Sequence, residues 1–132
     1  MLKILVVDDS ILVRNNIKKF IQSLGHNVIG EAENGIQAIE KCKELNPDLI
    51  TMDITMPDMD GITAIKKIHE FNQEVNTVVV TSHGQEEIIM KALQAGAKGY
   101  ILKPMNETNL NEAIESIYNS IQINKNEYLL DE

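Results

Sequence analysis

Three carboxylates, two hydroxyls and one ammonium sit where apolar runs of this chain stop. Asp8-Asp9 follow Ile4-Leu5-Val6-Val7, and Asp53 follows Leu49-Ile50-Thr51-Met52. Thr81-Ser82 follow Thr77-Val78-Val79-Val80, and Lys103 follows Tyr100-Ile101-Leu102. Grouped acids repel: two carboxylates about 4 Å apart cost roughly 4 kcal/mol at an effective dielectric near 20. A cation relieves that cost, and an all-oxygen ligand set with room for water suits Mg2+. An ionised carboxylate is also a nucleophile that can form an aspartyl phosphate. Such a transfer needs in-line positioning and neutralisation of the equatorial oxygens. Mg2+ and Lys103 could neutralise, and Thr81 could hydrogen-bond a phosphoryl oxygen. No general base is required, because an ionised carboxylate has no proton to lose.

These residues act together only if the chain brings them together. Each apolar run has strand length, and between the runs the apolar spacing turns helical. Val13, Ile17, Phe20, Ile21 and Leu24 form one amphipathic face that stops at Gly25, and Val28–Ala32 is a shorter, more polar edge strand. Asn34-Gly35 opens a helix faced by Ile39, Cys42 and Leu45 and closed by Pro47. Gly61 precedes one faced by Ile62, Ile65 and Ile68, and Ile88, Ile89, Ala92 and Leu93 face another that ends at Gly96. A last helix is expected from about Asn106, through Leu110, Ala113, Ile114 and Ile117, to Ile121. Five strands alternating with five helices predict an α/β fold: a doubly wound, five-stranded parallel sheet, (βα)5, in one domain. All parallel strands end on one edge, so the six polar residues converge on one rim, the usual ligand edge of such sheets.

Composition narrows the function classes. The 132 residues carry a net charge of −8, which argues against nonspecific nucleic-acid binding. With 43% hydrophobic and 24% charged residues, the make-up is that of an ordinary globular domain. The single cysteine, Cys42, permits no intrachain disulfide and falls on an apolar helix face. The run from Leu2 to Val7 reaches Asp8 too soon for a signal peptide, and no segment has the length and apolarity to span a bilayer. A cytoplasmic, monomeric protein without membrane insertion is expected.

With Asp8-Asp9, Asp53, Thr81, Lys103-Pro104 and the loop Met56-Pro57-Asp58-Met59-Asp60-Gly61 in this order, the chain resembles the response-regulator receiver domain, and most of all its stand-alone, CheY-type chemotaxis members. The resemblance covers residues 1–121; residues 122–132 are expected to be a flexible tail. It implies the flavodoxin-like strand order 2-1-3-4-5, for which CheY is itself a standard example. It makes Asp53 the phosphoacceptor, and Asp9, Asp53 and the Thr55 carbonyl the Mg2+ ligands, with Asp8 assisting through water. Lys103 would contact the phosphoryl group, with a cis Lys103–Pro104 bond. Thr81 and Tyr100 would form a switch pair, Thr81 being preferred to Ser82 by its spacing from Lys103. Thr55 and His83 occupy positions that tune dephosphorylation in relatives, although His83 reads equally as a solvated loop residue. The implied kinase is a CheA-like sensor histidine kinase. The implied target is a motility-motor component or adaptor, bound through a face that includes Ile89, Met90, Lys98 and Tyr100.

Other readings start from the same residues. A phosphorelay intermediate would pass the phosphate to a histidine phosphotransfer protein. A small Mg2+-dependent phosphatase of the haloacid-dehalogenase type would need its nucleophile on the first strand and a second Asp two residues later, where this chain has Ser10 after Asp8. An FMN carrier needs a hydroxyl-rich phosphate loop, and Asp8-Asp9 would repel the phosphate. As a calcium loop, Asp58-Met59-Asp60-Gly61 fails, because the register puts Met56 first and Lys67 last. The residues left after Ile121 are too few for a DNA-reading domain. The expectation is therefore a switch that catalyses only its own phosphorylation and dephosphorylation, not an enzyme acting on other substrates.

Overall fold

Ile4, Leu5, Val6 and Val7 are buried whichever way they point, which requires a strand covered on both faces. The computed structural model describes the backbone of residues 1–130 and the side chains of residues 1–124. In it β1 (Lys3–Val7) lies between β2 (Asn27–Ala32) and β3 (Leu49–Met52), followed by β4 (Asn76–Thr81) and β5 (Gly99–Leu102). All pairings are parallel, in the order β2-β1-β3-β4-β5, with Ile4 beside Leu49, Met52 beside Val79 and Val79 beside Tyr100. The expected architecture and strand order are both observed.

Helices α1 (Ile11–Ser23) and α5 (Glu107–Leu130) cover one face. Ile17 and Ile21 of α1 and Leu110 and Ile114 of α5 pack there on Ile4, Val6, Leu49 and Val78. Helices α2 (Gly35–Leu45), α3 (Gly61–Phe71) and α4 (Glu86–Ala95) cover the other. Ala38, Cys42, Ile65, Ile68 and Ala92 meet Leu5, Val7, Ile50, Met52 and Val79. Each fully buried Ile or Leu contributes roughly 1.5–3 kcal/mol relative to exposure, so both layers hold the sheet firmly.

Four helices that start after loops on the carboxy-terminal edge each carry a side-chain cap. Ser10 accepts from the Val13 N–H (3.3 Å), Asn34 from Gln37 (2.9 Å), Asp60 from Thr63 (2.9 Å) and Asn106 from Asn109 (2.8 Å). These caps hold the loops that carry the rim residues. Gly61 is fixed more tightly still: its N–H donates to the Ile54 carbonyl at 2.8 Å, and a Cβ there would overlap the Asp53 carbonyl oxygen.

Two departures from the sequence reading concern helices. Expected to stop at Ile121, α5 is helical to Leu130, so residues 122–130 continue it; residues 131 and 132, the end of the expected tail, lie outside the described residues. Leu93 belongs to the apolar spacing of α4 but is 42% exposed, because Ala92 and Ala95 make that helix's buried contacts. Among the described residues no helix is long and apolar enough to cross a membrane.

Candidate functional site

Each rim side chain is delivered by the end of a strand. The Asp53 N–H continues the β1–β3 ladder to the Val7 carbonyl (3.0 Å), and the Lys103 N–H does the same to the Thr81 carbonyl (2.8 Å). Asp8, Asp53, Thr81 and Lys103 thus close β1, β3, β4 and β5 side by side. Carboxylate oxygens of Asp8, Asp9 and Asp53 lie within 4.8 Å of one another. The Lys103 Nζ reaches into this group, 2.8 Å from Asp8 and 3.7 Å from Asp53. The Lys103–Pro104 peptide is cis, as the resemblance implies.

The three acids are not equivalent. Asp8 is 1% exposed and held at every polar atom for which a bond is seen. Its N–H donates to the Ala32 carbonyl, one carboxylate oxygen accepts from the Ser10 N–H (2.9 Å), and the other accepts from Lys103. Asp53 is 5% exposed and lacks that support. Burial and the charge of Asp8 push its carboxyl up to about 6, against the pull of Lys103 and the Thr55 N–H, with Asp9 adding to the push. Asp9 is exposed at the mouth. One ammonium for three acids leaves an excess of negative charge around a buried carboxylate. That donor set, all oxygen and open on the Asp9 side, fits a hard divalent cation.

The remaining predicted residues lie on the same edge or beside it. Thr81 is fully buried, and its hydroxyl accepts from the His83 N–H at 3.2 Å. The Tyr100 hydroxyl donates to the carbonyl of the same His83. One residue's backbone therefore touches both members of the expected switch pair. Thr55 is exposed just past Asp53, His83 is half-buried, and Ser82 is exposed. On the expected output face Met90 and Lys98 are exposed, while Ile89 and Tyr100 are half-buried.

Concavity alone would have pointed elsewhere. Two hollows, about 820 Å3 at the opposite, amide-rich edge of the sheet and about 530 Å3 between β5 and α5, do not include Asp8, Asp9 or Asp53. The sequence reading missed Arg14, which is only 7% exposed. The signal was available: Arg14 shares the buried stripe of α1 with Ile17 and Ile21, three and seven residues on, where a charge is out of place.

Comparison with known proteins agrees with this geometry. The family described as response regulator receiver domain matches residues 4–115. The chemotaxis protein CheY of Bacillus subtilis (strain 168) is 46% identical over 117 residues, spanning 89% of this chain and 98% of that protein. CheY of Thermotoga maritima is 43% identical over 115 residues, 87% of this chain and 96% of that one. Among solved structures, the CheX–CheY–BeF3–Mg2+ complex from Borrelia burgdorferi superposes with a TM-score of 0.85 at 34% identity, covering 88% of each chain.

Proposed function

This chain belongs to the response regulator receiver family, and from that premise we propose that it is a chemotaxis or motility switch driven by a histidine kinase through Asp53. The observation that carries the reading is the single Lys103 ammonium shared by the carboxylates of Asp8 and Asp53, from three different strands.

An Asp53 carboxylate oxygen attacks the phosphorus of a phosphohistidine. The new O–P bond forms as the N–P bond breaks, and the imidazole nitrogen keeps the electron pair. Lys103, 3.7 Å from Asp53 before transfer, neutralises a phosphoryl oxygen afterwards. Asp9, Asp53 and the Thr55 carbonyl would hold Mg2+, with Asp8 assisting through water, and the ion would supply positive charge against the equatorial oxygens. The CheY neighbour crystallised with BeF3 and Mg2+ supports that choice of ion.

The signal then leaves through Thr81. Drawn toward the phosphoryl group, its hydroxyl gives up the His83 N–H, and the His83 carbonyl that anchors Tyr100 is freed to shift. This biases two packings of the α4–β5–α5 face, where Met90, Leu93 and Leu102 present apolar surface to a protein target. Thr55 and His83 border the path by which water reaches the acyl phosphate and set its lifetime. The chain turns over no other substrate, and it works in the cytoplasm beside its kinase. The chemotaxis assignment is supported by relatives named CheY that match this chain over nearly their whole length.

The test is labelling by a small phosphodonor such as acetyl phosphate with Mg2+. Wild type should gain one phosphoryl group and Asp53→Asn none; full labelling of the variant would remove Asp53 as acceptor.

A further inference from the structure

Arg14 is a buried cation next to an acid cluster, yet it touches none of the three carboxylates. Its Nη1 donates to the backbone carbonyl of Asp8 at 2.7 Å. Its Nε donates to Glu31 of β2 at 3.0 Å, and its Nη2 lies 3.9 Å from Glu33. Glu31 is braced in turn by Lys18 at 2.9 Å. The hydrogen bond from Lys18, with help from Arg14, holds the Glu31 carboxyl below its ordinary range despite burial, so the bracket stays charged. The Asp8 carbonyl stands at the turn from β1 into α1, and both Asp8 and Asp9 take their orientation from that turn. The planar guanidinium can grip a carbonyl and a carboxylate at once, which a lysine ammonium cannot do in the same geometry.

We propose that Arg14 is a positioning residue for the divalent-cation site: by holding the Asp8 carbonyl at the turn from β1 into α1 it aims the Asp8 and Asp9 carboxylates at the ion. The proposal rests on the reading of the acid cluster as a Mg2+ site. It separates three roles by sign. A cation near a metal site repels the ion, so if Arg14 acted through charge alone, its removal would tighten Mg2+ binding. Were it only packing, removal would lower the stability of the metal-free protein and leave Mg2+ affinity unchanged. A clamp that orients ligands makes the affinity fall, by about tenfold for an outer partner of this kind.

The experiment is calorimetric titration of the full chain with Mg2+ at a temperature where far-ultraviolet circular dichroism shows each variant folded. Arg14→Gln should bind about tenfold more weakly than wild type. Glu31→Gln, which keeps the Asp8 carbonyl bond, should stay within about twofold of wild type. Unchanged or tighter binding by Arg14→Gln overturns the proposal, and so does an equal loss in Glu31→Gln. If Arg14→Gln does not fold, Arg14→Lys is read by the same criterion: weaker binding supports the clamp, and wild-type affinity overturns it. A wild type that binds no Mg2+ overturns the metal-site reading and this proposal together. Binding by wild type alongside an unaltered Arg14→Gln overturns this proposal alone.

Discussion

At the amino-terminal edge of the sheet several polar groups near the strand starts find partners. Asp48 accepts the Lys3 N–H at 2.8 Å, Asn76 donates to the Asp48 carbonyl at 3.2 Å, and His26 Nδ1 accepts the Leu2 N–H at 3.0 Å. At the carboxy-terminal edge of the same strands, three acids crowd around one lysine, and Asp53 is pushed up to about 6. Both edges are made by one set of parallel ladders, so backbone geometry does not separate them. Loop residues do. The quiet edge spends its side chains on stabilising the fold, and the loaded edge keeps a charge imbalance that only a ligand removes.

The largest blow to this contrast should come from glycines. Gly61→Ala places a methyl against the Asp53 carbonyl and should cost roughly 3 kcal/mol in urea unfolding. Gly99→Ala starts β5 near the quiet edge, where the added Cβ meets Val78 at an ordinary 3.5 Å, and should change stability by about 1 kcal/mol or less. Equal costs would mean that the rim is no more constrained than the opposite edge.

Next in size is the response to metal. Mg2+ at a hundred times its dissociation constant should stabilise wild type by about 2.7 kcal/mol, read as a raised melting temperature. Asp9→Asn should lose most of that shift, and a wild type whose melting is untouched by Mg2+ would contradict a loaded edge.

Without metal, Asp53→Asn should be the more stable protein. The folded carboxyl titrates near 6, above its ordinary 3.8, so the folded state binds the proton more tightly. Wild type therefore loses stability as pH rises through that window and carries the full penalty above it. Discounted for solvent screening, the variant's advantage at pH 7.5 should be about 1–2 kcal/mol, and it should vanish only below about pH 3, under the ordinary carboxylate range. An advantage undiminished at about pH 3 would assign the effect to something other than charge.

The smallest effect belongs to the quiet edge and has the opposite sign. Burial, then the nearby amino terminus, lowers the pKa of His26, and a protonated Nδ1 cannot accept from Leu2. Its contribution is full above the ordinary value of 6.5 and is lost as pH falls through the lowered one. Comparing unfolding at pH 7 and pH 5, wild type should lose about 0.5 kcal/mol or less, discounted for the exposure of the ring, that His26→Gln does not. An unchanged slope in the variant would move the titration to another group.

Strand ends were the most legible feature of the sequence, since a fully buried strand must be apolar throughout and its first charge marks the rim. That rule found Asp8, Asp53 and Lys103, while Thr81 was chosen over Ser82 by its spacing from Lys103 in the family pattern. Arg14 escaped it because its partners are a backbone carbonyl and the Glu31 side chain of β2, and neither is visible in helical spacing. The extra turns of α5 escaped because the apolar face was used to end the helix at Ile121. The better guide was that no glycine or proline follows Pro104 to stop it. Leu93 was misplaced because periodicity gives a face but not its width, and small alanines narrow the buried stripe of α4.

Lys103 and Asp8 stand 95 residues apart in the chain, yet they are joined at 2.8 Å. A nascent or truncated polypeptide that lacks its final strand has the acids but not their ammonium. The charge balance of the rim is therefore reached only once β5 has joined the sheet.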